Sequence, residues 1–232
     1  MIYVMSDIHG MADRYQEMLE LIDFNEQDTL YVLGDIIDRG NGSIKVLQDM
    51  MRRPNVHGIF GNHEWMCVEC MKWLSEEISE ASISRIDEEQ LMKLSYWINN
   101  GAYPTIRELL ALSLEERMAI MDYLLDFSAY EEITVNGKYY LLVHAGLGNF
   151  QKDKPLFHYD VNDLIWERPD WEIPYFDEAD RFVIVGHTPT LGISGKAEIF
   201  HHNQFIAIDC GACFQDGALA CLCLDTMEEF YC

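Results

Sequence analysis

Short apolar runs alternate with helical periodicity over the first sixty residues. Residues 2–5, 29–33 and 56–60 are apolar runs of strand length, whereas residues 11–22 and 42–52 carry apolar side chains at helical spacing. Strand, helix and strand in this order predict parallel strands joined by right-handed crossovers. The N-terminal part of the chain is therefore expected to form an α/β unit.

The segment from residue 64 to residue 127 has helical periodicity and no strand pattern. Its apolar spacing predicts helices over 64–80, 87–98, 103–111 and 114–126. Ser113 is a typical helix start, because the acidic residues that follow it are favoured in a first helical turn. We therefore expect a helical insertion between two groups of strands.

Strand patterns return after the insertion. Asn136-Gly137 is a strong hairpin signal between the runs 132–135 and 138–143, and residues 147–180 are predicted to be irregular with short helices. Further strands are predicted at 182–185, 198–201, 205–208 and 218–224. The last three are expected to form an antiparallel meander closed by a turn at Asn203-Gln204.

Together these elements predict an α/β fold. We expect two packed mixed β-sheets, a β-sandwich, flanked by helices, with the helical insertion at about 64–127. All 232 residues are expected to form a single domain.

The chain is strongly acidic, with 40 acidic and 16 basic residues and a formal net charge of −24. Such a surface repels nucleic acid and anionic membranes, so neither is expected as a partner. No apolar run approaches the ~20 residues of a membrane helix, and the N-terminus has no secretory signal pattern. A cytoplasmic location is therefore expected. The charge does not exclude a phosphate substrate, because cations inside a pocket set the local potential.

Seven cysteines raise the question of a thiolate metal site or of disulfides. Cys67 and Cys70 are one helical turn apart, whereas Cys210 and Cys213 follow a predicted strand. The two pairs are too distant in the chain for a zinc ribbon, whose half-sites are ~15–20 residues apart. An odd number of cysteines without a signal peptide favours reduced thiols, so we expect buried structural cysteines.

Six short polar runs contain most of the chemically reactive residues, and five of them directly follow predicted strands. They are Asp7-Ile8-His9, Gly34-Asp35-Ile36-Ile37-Asp38-Arg39-Gly40, Gly61-Asn62-His63-Glu64, His144-Ala145-Gly146, Trp166-Glu167-Arg168 and Gly186-His187. Alternate side chains of a strand share a face, so Asp7 and His9 are expected to reach one ion. Ligands of open α/β sheets gather at the carboxyl ends of strands.

The residue types in these runs indicate a metal-assisted reaction. Carboxylate and amide oxygens together with imidazole nitrogens suit a pair of divalent cations such as Mn, Fe or Zn. The arginines and one spare histidine suit a phosphate bound against those cations. The set predicts hydrolysis of a phosphate ester.

The run from Gly34 to Gly40 is the most specific of these motifs. Its five fixed residues recur by chance in on the order of one in ten thousand chains of this length, and the Gly-Asn-His-Glu run from Gly61 makes coincidence negligible. The motifs, which extend from Ser6 to His187, resemble the calcineurin-like metallophosphoesterases. Within that superfamily they resemble the phosphoprotein serine/threonine phosphatases of the compact bacterial and phage kind. Two segments, 97–105 and 208–212, are looser similarities to the same group.

The resemblance implies two divalent metal ions, with manganese preferred and iron, zinc or magnesium as alternatives. The implied metal ligands are Asp7, His9, Asp35, Asn62, His144 and His187. Asp35 would bridge the two ions. The resemblance further implies that His63 is the general acid, that Asp38 orients it, and that Arg39 and Arg168 bind phosphate oxygens. Ser6 and Ala102 replace glycines of the family pattern, but neither change removes a ligand.

The same resemblance implies a phosphoprotein phosphatase that acts on phosphoserine or phosphothreonine, with phosphotyrosine as a possible extension. A metal-bridging hydroxide would attack phosphorus directly, and His63 would protonate the departing alkoxide. Two ions with two ligand aspartates leave a positive site, which matches a phosphomonoester dianion.

Two other functions stay open. Bacterial diadenosine tetraphosphatases, that is bis(5'-nucleosyl)-tetraphosphatases, share the first three motifs, so a dinucleoside polyphosphate or another small phosphoester is an alternative substrate. A noncatalytic metal-bound scaffold is an alternative of another class. It would be expected to lack a ligand, His63 or an arginine, and none is missing.

Other histidines and aromatic residues lie outside these motifs. Surface or packing roles are expected for His57, His158, His201 and His202. An aromatic cluster in the irregular segment is expected to pack within that segment or to wall the substrate cleft; it comprises Phe157, Tyr159, Trp166, Trp171, Tyr175 and Phe176.

Overall fold

The first β-sheet has the strand order β10-β9-β1-β2-β3 in a computed structural model that describes residues 1–74 and 86–232. Its strands are β1 (Ile2–Met5), β2 (Thr29–Val32), β3 (Val56–Gly58), β9 (Ala220–Cys223) and β10 (Glu229–Tyr231). The first three strands are parallel, whereas β9 runs antiparallel to β1 and β10 antiparallel to β9. The carboxyl ends of β1, β2 and β3 therefore meet at one edge.

The second sheet is also mixed, with the order β4-β5-β6-β8-β7. Its strands are β4 (Tyr130–Val135), β5 (Lys138–Val143), β6 (Arg181–Val185), β7 (Phe200–His202) and β8 (Phe205–Ala207). β4 and β5 form the hairpin predicted at Asn136-Gly137, and β5, β6 and β8 are parallel.

Helices cover the outer faces of the sheets. The longer ones are α1 (Ala12–Leu21), α2 (Ser43–Met51), α3 (Asn62–Leu74), α4 (Glu88–Asn99), α5 (Tyr103–Leu110) and α6 (Leu114–Leu125). Short helices follow at α7 (Val161–Ile165) and α8 (Thr190–Ile193), with a 3-10 turn at Leu156–His158. Capping boxes begin α4 at Asp87 and α6 at Ser113, where side chain and backbone satisfy each other's end groups. None of the helices in the described ranges is long and apolar enough to cross a membrane.

The core forms three layers because side chains alternate along each strand. Val4 of β1 is fully buried between the two sheets, whereas its neighbour Met5 is buried on the face that α1 and α2 cover. Leu142, Ile184 and Leu222 join Val4 in the layer between the sheets. A third cluster lies on the outer face of the second sheet, under the irregular segment 147–180.

The predicted fold class is confirmed, and the helical insertion is seen in α3 to α6. The first insertion helix was predicted to end at residue 80. The predicted part beyond residue 74 lies outside the described residues. The prediction that the last three strands form one antiparallel meander was wrong in one respect. β7 and β8 form a hairpin around Asn203, but β9 pairs with β1 in the other sheet, and β10 was not predicted.

The apolar run at 218–224 explains this error. Both faces of β9 are buried, with Leu222 between the sheets and Cys221 on the helix-covered face. Such a strand is expected in the middle of a sheet, and the position beside β1 has both faces covered. Local turn signals could not indicate which sheet supplies that position.

Leu222→Ala should destabilise the protein by about 2–5 kcal/mol, because it removes a fully buried side chain from the layer between the sheets. Leu110→Ala is the matched control, since Leu110 is 54% exposed, and it should change the free energy of unfolding by less than about 0.5 kcal/mol. Urea unfolding followed by circular dichroism measures both values. Equal effects of the two substitutions would contradict the layer assignment.

Candidate active site

The candidate ligands after the first strand lie in a tight loop and not in the strand itself. β1 ends at Met5, and Asp7 and His9 follow it with φ angles of 53° and 46°. The argument that alternate positions of a strand place both side chains on one face was therefore wrong. The amides of Asp7 and His9 donate to the carbonyls of Gly34 (3.1 Å) and Asp35 (2.8 Å), which joins the loops after β1 and β2.

Left-handed backbone conformations are concentrated in these loops. Among the described non-glycine residues with positive φ, six are predicted site residues: Asp7, His9, Asp35, Asp38, Arg39 and His187. Such a conformation costs on the order of 1–3 kcal/mol per residue. The surrounding hydrogen bonds must stabilise these strained conformations. Backbone strain of this kind is common at ligand-binding sites.

The Asp35 carboxylate lies at the centre of two groups of potential ligands. Its Oδ2 atom is 3.7 Å from the Nε2 atoms of His9 and His63, and its Oδ1 atom is 3.4 Å from His144 Nε2. The ligand atoms of His9, Asp35 and His63 lie within 4.8 Å of one another, as do those of Asp35, His144 and His187. Asp35 belongs to both groups, which is the position that a bridging ligand requires.

Asn62 and two imidazoles form the second group with Asp35. Asn62 Oδ1 lies 3.0 Å from His144 Nε2 and 2.8 Å from His187 Nδ1. His144 Nδ1 donates to the Leu33 carbonyl at 2.6 Å, so Nε2 of the neutral ring carries a lone pair. Burial lowers the pKa of His144, which disfavours a second proton. The lone pairs of Asn62 Oδ1 and His144 Nε2 are 3.0 Å apart and repel each other. A divalent cation between them would remove this repulsion, so the donor set fits such an ion.

Asp7 lies at the edge of the first group. Its Oδ1 atom is 3.9 Å from His9 Nε2, and its two oxygens accept hydrogen bonds from the His187 amide at 3.2 and 3.0 Å. The Ser6 hydroxyl donates to its Oδ2 atom. His9 Nδ1 donates to the Ile37 carbonyl at 3.1 Å, which leaves its Nε2 atom as the ligand. Asp7 thus links the loop after β1 to the loop after β6.

His63 has the surroundings that a general acid requires. Its Nδ1 atom is 2.6 Å from Asp38 Oδ2, and the same oxygen accepts a hydrogen bond from Trp97 Nε1 at 2.7 Å. Burial alone would lower the pKa of His63, but the Asp35 charge and the Asp38 hydrogen bond together raise it. The ring is therefore fixed by a buried carboxylate, and its Nε2 atom is directed towards Arg39, 3.3 Å away.

The two arginines lie on opposite sides of the ligand groups. The Arg39 amide donates to the Gly101 carbonyl at 2.9 Å, and its guanidinium contacts His63 Nε2 and Cys213 Sγ at 3.3 and 3.4 Å. Arg168 is exposed and donates to Thr188 Oγ1 at 3.1 Å, next to His187. Both guanidinium groups stay accessible, as binding of an anion from solvent requires.

Comparison with known proteins now identifies the family. Residues 1–211 match the model of the calcineurin-like phosphoesterase family. The chain belongs to this family. A symmetrical bis(5'-nucleosyl)-tetraphosphatase from Paracidovorax citrulli is 27% identical over 162 residues, which are 68% of this chain and 48% of that protein. The chain spans less than half the length of the curated relatives it matches.

Solved structures share the fold of this chain at low sequence identity. A protein provisionally described as a diadenosine tetraphosphatase superposes with a TM-score of 0.66 at 15% identity, covering 100% of this chain and 92% of that one. A serine/threonine phosphatase from Saccharomyces cerevisiae superposes with a TM-score of 0.58 at 15% identity, covering 95% and 71%. These likenesses support the two-sheet α/β architecture.

Glu64 is a positioning residue that sequence reasoning did not assign. It is fully buried, and its Oε2 accepts from the Asp35 amide at 2.8 Å and from the Gly61 amide at 3.2 Å. Its Oε1 accepts from the amides of Ile36 (2.8 Å) and Ile37 (3.3 Å). Burial and the Asp35 charge raise the pKa of Glu64 to about 7. The only signal for this role was its place directly after His63 in the phosphoesterase motif.

The segment 97–105, noted above only as a loose similarity, supports the loop that carries Asp38 and Arg39. Trp97 donates to the Asp38 carboxylate, and Thr105 Oγ1 accepts from the Asp38 amide at 2.9 Å. A Cβ on Gly101, whose φ is +101°, would approach Arg39 Cγ to 2.9 Å. A side chain at this position would push Arg39 away, so glycine is required for both φ and space.

The buried carboxylates of Asp7, Asp35 and Asp209 repel one another. Burial raises the pKa of Asp7 well above its ordinary value, with the charges of Asp209 and Asp35 acting in the same direction. Burial likewise raises the pKa of Asp209 to about 7. Burial would also raise the pKa of Asp35, but the four histidines around it lower it. Bound cations would relieve this repulsion, which again fits the donor set to divalent metals.

The remaining histidines lie outside the ligand groups. His57, His158 and His201 are exposed, and His201 and His202 pair with Glu229 (2.7 Å) and Glu172 (2.8 Å). The cysteines are all unpaired. Five of them are buried: Cys67, Cys70, Cys210, Cys221 and Cys223. In the aromatic cluster, Tyr159, Trp171, Tyr175 and Phe176 pack in the third core layer.

Glu64→Gln should weaken manganese binding about tenfold or more, because the amide group of glutamine opposes two of the backbone amides that hold the Asp35 loop. The exposed Glu88→Gln is the control and should bind manganese as the wild type does. Isothermal titration calorimetry measures both affinities. If Glu64→Gln folded and bound manganese with unchanged affinity, Glu64 would have no role in positioning Asp35.

Proposed function

We propose that this phosphoesterase hydrolyses dinucleoside polyphosphates and is a symmetrical bis(5'-nucleosyl)-tetraphosphatase. The observation that carries the proposal is its relationship to such an enzyme over 162 residues, well beyond the motifs that both candidate groups share. The phosphoprotein substrate favoured by the sequence motifs becomes the second candidate. The fold and the metal ligands are compatible with both substrates.

We propose two divalent ions, with manganese preferred, at the two groups that share Asp35. His9 and Asp35 of the first group, together with Asp7 beside them, would hold one ion, and Asp35, Asn62, His144 and His187 would hold the other. When bound, such ions lower the pKa of water and polarise phosphoryl oxygens. His63 Nε2 would serve the substrate, because Asp38 orients the ring through Nδ1 and Arg39, a phosphate-binding residue, lies 3.3 Å from Nε2.

The side chains around these groups act on the substrate phosphates. Arg39 and Arg168 bind phosphoryl oxygens and offset the charge that develops on them during the reaction. His63 holds a proton on Nε2, within reach of a leaving oxygen, and Asp38 stabilises the charged ring. Water adds to one of the two central phosphorus atoms, the bridging P–O bond breaks, and two nucleoside diphosphates leave.

One observation favours the second candidate, a phosphoserine or phosphothreonine phosphatase. A positioned acid such as His63 is most useful for a poor leaving group, and a serine alkoxide is much more basic than a nucleoside diphosphate. The protein phosphatase with the same fold shares only 15% identity, so it supports the architecture and not the substrate.

A substrate panel should separate the candidates. With manganese, the full chain should hydrolyse diadenosine tetraphosphate to two molecules of ADP with a kcat/KM at least tenfold above that for a phosphoserine peptide. Chelation of the metal should abolish both activities. The reverse preference would support the phosphoprotein phosphatase. Failure of the manganese-loaded enzyme on every phosphate ester, including phosphodiesters and small monoesters, would support the noncatalytic scaffold.

His63→Ala should lower kcat for an alkyl phosphomonoester by about 10²–10⁴-fold, because the leaving alkoxide loses its proton donor. The loss for diadenosine tetraphosphate should be smaller, because a nucleoside diphosphate leaves without much help. The exposed His57→Ala is the control, and calorimetry should show that both variants still bind manganese. Unchanged turnover of the alkyl ester would remove His63 from the mechanism.

A further inference from the structure

A cleft between α3, α4 and α7 lies beside the ligand groups and has no role in the chemistry described above. It has a volume of about 180 Å³. We call it the aromatic cleft, and its lining residues are Trp65, Met66, Glu69, Lys93, Tyr96 and Trp166. Tyr96 is 52% exposed and Trp65 and Trp166 are partly exposed, so the rings present surface to a ligand.

Each ring of the aromatic cleft lies one or two positions in sequence from a site residue. Trp65 follows His63 on α3, Tyr96 precedes Trp97 on α4, and Trp166 precedes Arg168. Trp166 also packs edge-to-face against the His187 ring, with ring centroids 6.0 Å apart. A group in the cleft would therefore be separated from the proposed metal ligand His187 by the Trp166 ring. It would lie close to the bound phosphates but not at the reacting phosphorus.

The chemistry of the cleft suits a planar uncharged group. Tyr96 and Trp166 have ring centroids 6.1 Å apart at an interplanar angle of 54°, and Met66 forms a buried apolar wall. The two charged side chains offset each other, since Lys93 Nζ is 3.2 Å from Glu69 Oε2. Together they place a hydrogen-bond donor group and an acceptor group at the rim. Nucleobases combine flat faces for stacking with donors and acceptors on their edges.

We propose that the aromatic cleft binds a nucleobase of the substrate by stacking on Tyr96, with the tilted Trp166 ring as a second wall. The proposal rests on the proposed function and names the part of the substrate that distinguishes a dinucleoside polyphosphate from a phosphopeptide. Cleavage between the two central phosphates leaves one phosphate and a ribose between the reacting phosphorus and the base. That separation agrees with a cleft that the Trp166 ring separates from the proposed metal ligand His187.

Binding of two ligands that differ only in the base tests the proposal. ADP and ribose 5-diphosphate, which keep one phosphate and the ribose between the terminal phosphate and the base position, are titrated by calorimetry into the manganese-loaded full chain. Since stacking of a base on an aromatic side chain is worth about 1–3 kcal/mol, ADP should bind wild type about tenfold or more tightly than ribose 5-diphosphate. Tyr96→Ala should reduce this ratio towards one, whereas Tyr96→Phe should keep it.

Tyr103→Ala is the matched control, because Tyr103 is 68% exposed and lies outside the cleft. It should keep the wild-type ratio. A ratio near one in wild type, or a ratio that Tyr96→Ala leaves unchanged, would overturn the proposal. The readout needs no turnover. A base preference that depends on Tyr96 would stand even if diadenosine tetraphosphate were not hydrolysed, and hydrolysis without that preference would retain the proposed function but reject the cleft.

Discussion

The burial of the Asp35 carboxylate is the constraint on which the site depends. A carboxylate that is 2% exposed must be compensated, and four imidazoles surround it while Glu64 holds its backbone. Glu64 of α3 is itself a buried acid, so two buried acidic groups meet at the loop after β2, where backbone amides and histidines stabilise them. This arrangement concentrates ligand atoms that a pair of cations would satisfy.

The site is strained because several loops must converge on the same few ångströms. Each loop after β1, β2 and β6 turns through a left-handed residue two positions after its strand ends, and hydrogen bonds between loops hold those turns. The rigid sheet edges bear this strain, since the last residues of β1 and β6 are fully buried. A site built in this way is pre-organised, at a cost in stability that the three-layer core must offset.

The acidic surface and the anionic substrate are compatible because the charge is unevenly distributed. The chain carries a net charge of −24, yet Arg39 and Arg168 flank the ligand groups and stay accessible. The aromatic cleft beside them is close to neutral, because Lys93 and Glu69 pair. Phosphates would therefore bind at the two arginines, and an uncharged ring system would bind in the aromatic cleft of the same site. The negative charge of the outer surface would repel nucleic acid polymers.

The sequence by itself determined the alternation of strands and helices, the hairpin at Asn136-Gly137 and the residue types of the site, because these follow from local periodicity and fixed motifs. It could not place β9 beside β1, because two buried faces can be supplied by either sheet. Nor could it show that Asp7 and His9 occupy a left-handed loop, that Glu64 and Trp97 hold Asp35 and Asp38, or that Trp65, Tyr96 and Trp166 form one cleft. These relations join residues far apart in the chain, so only the packing of helices and sheets decided them.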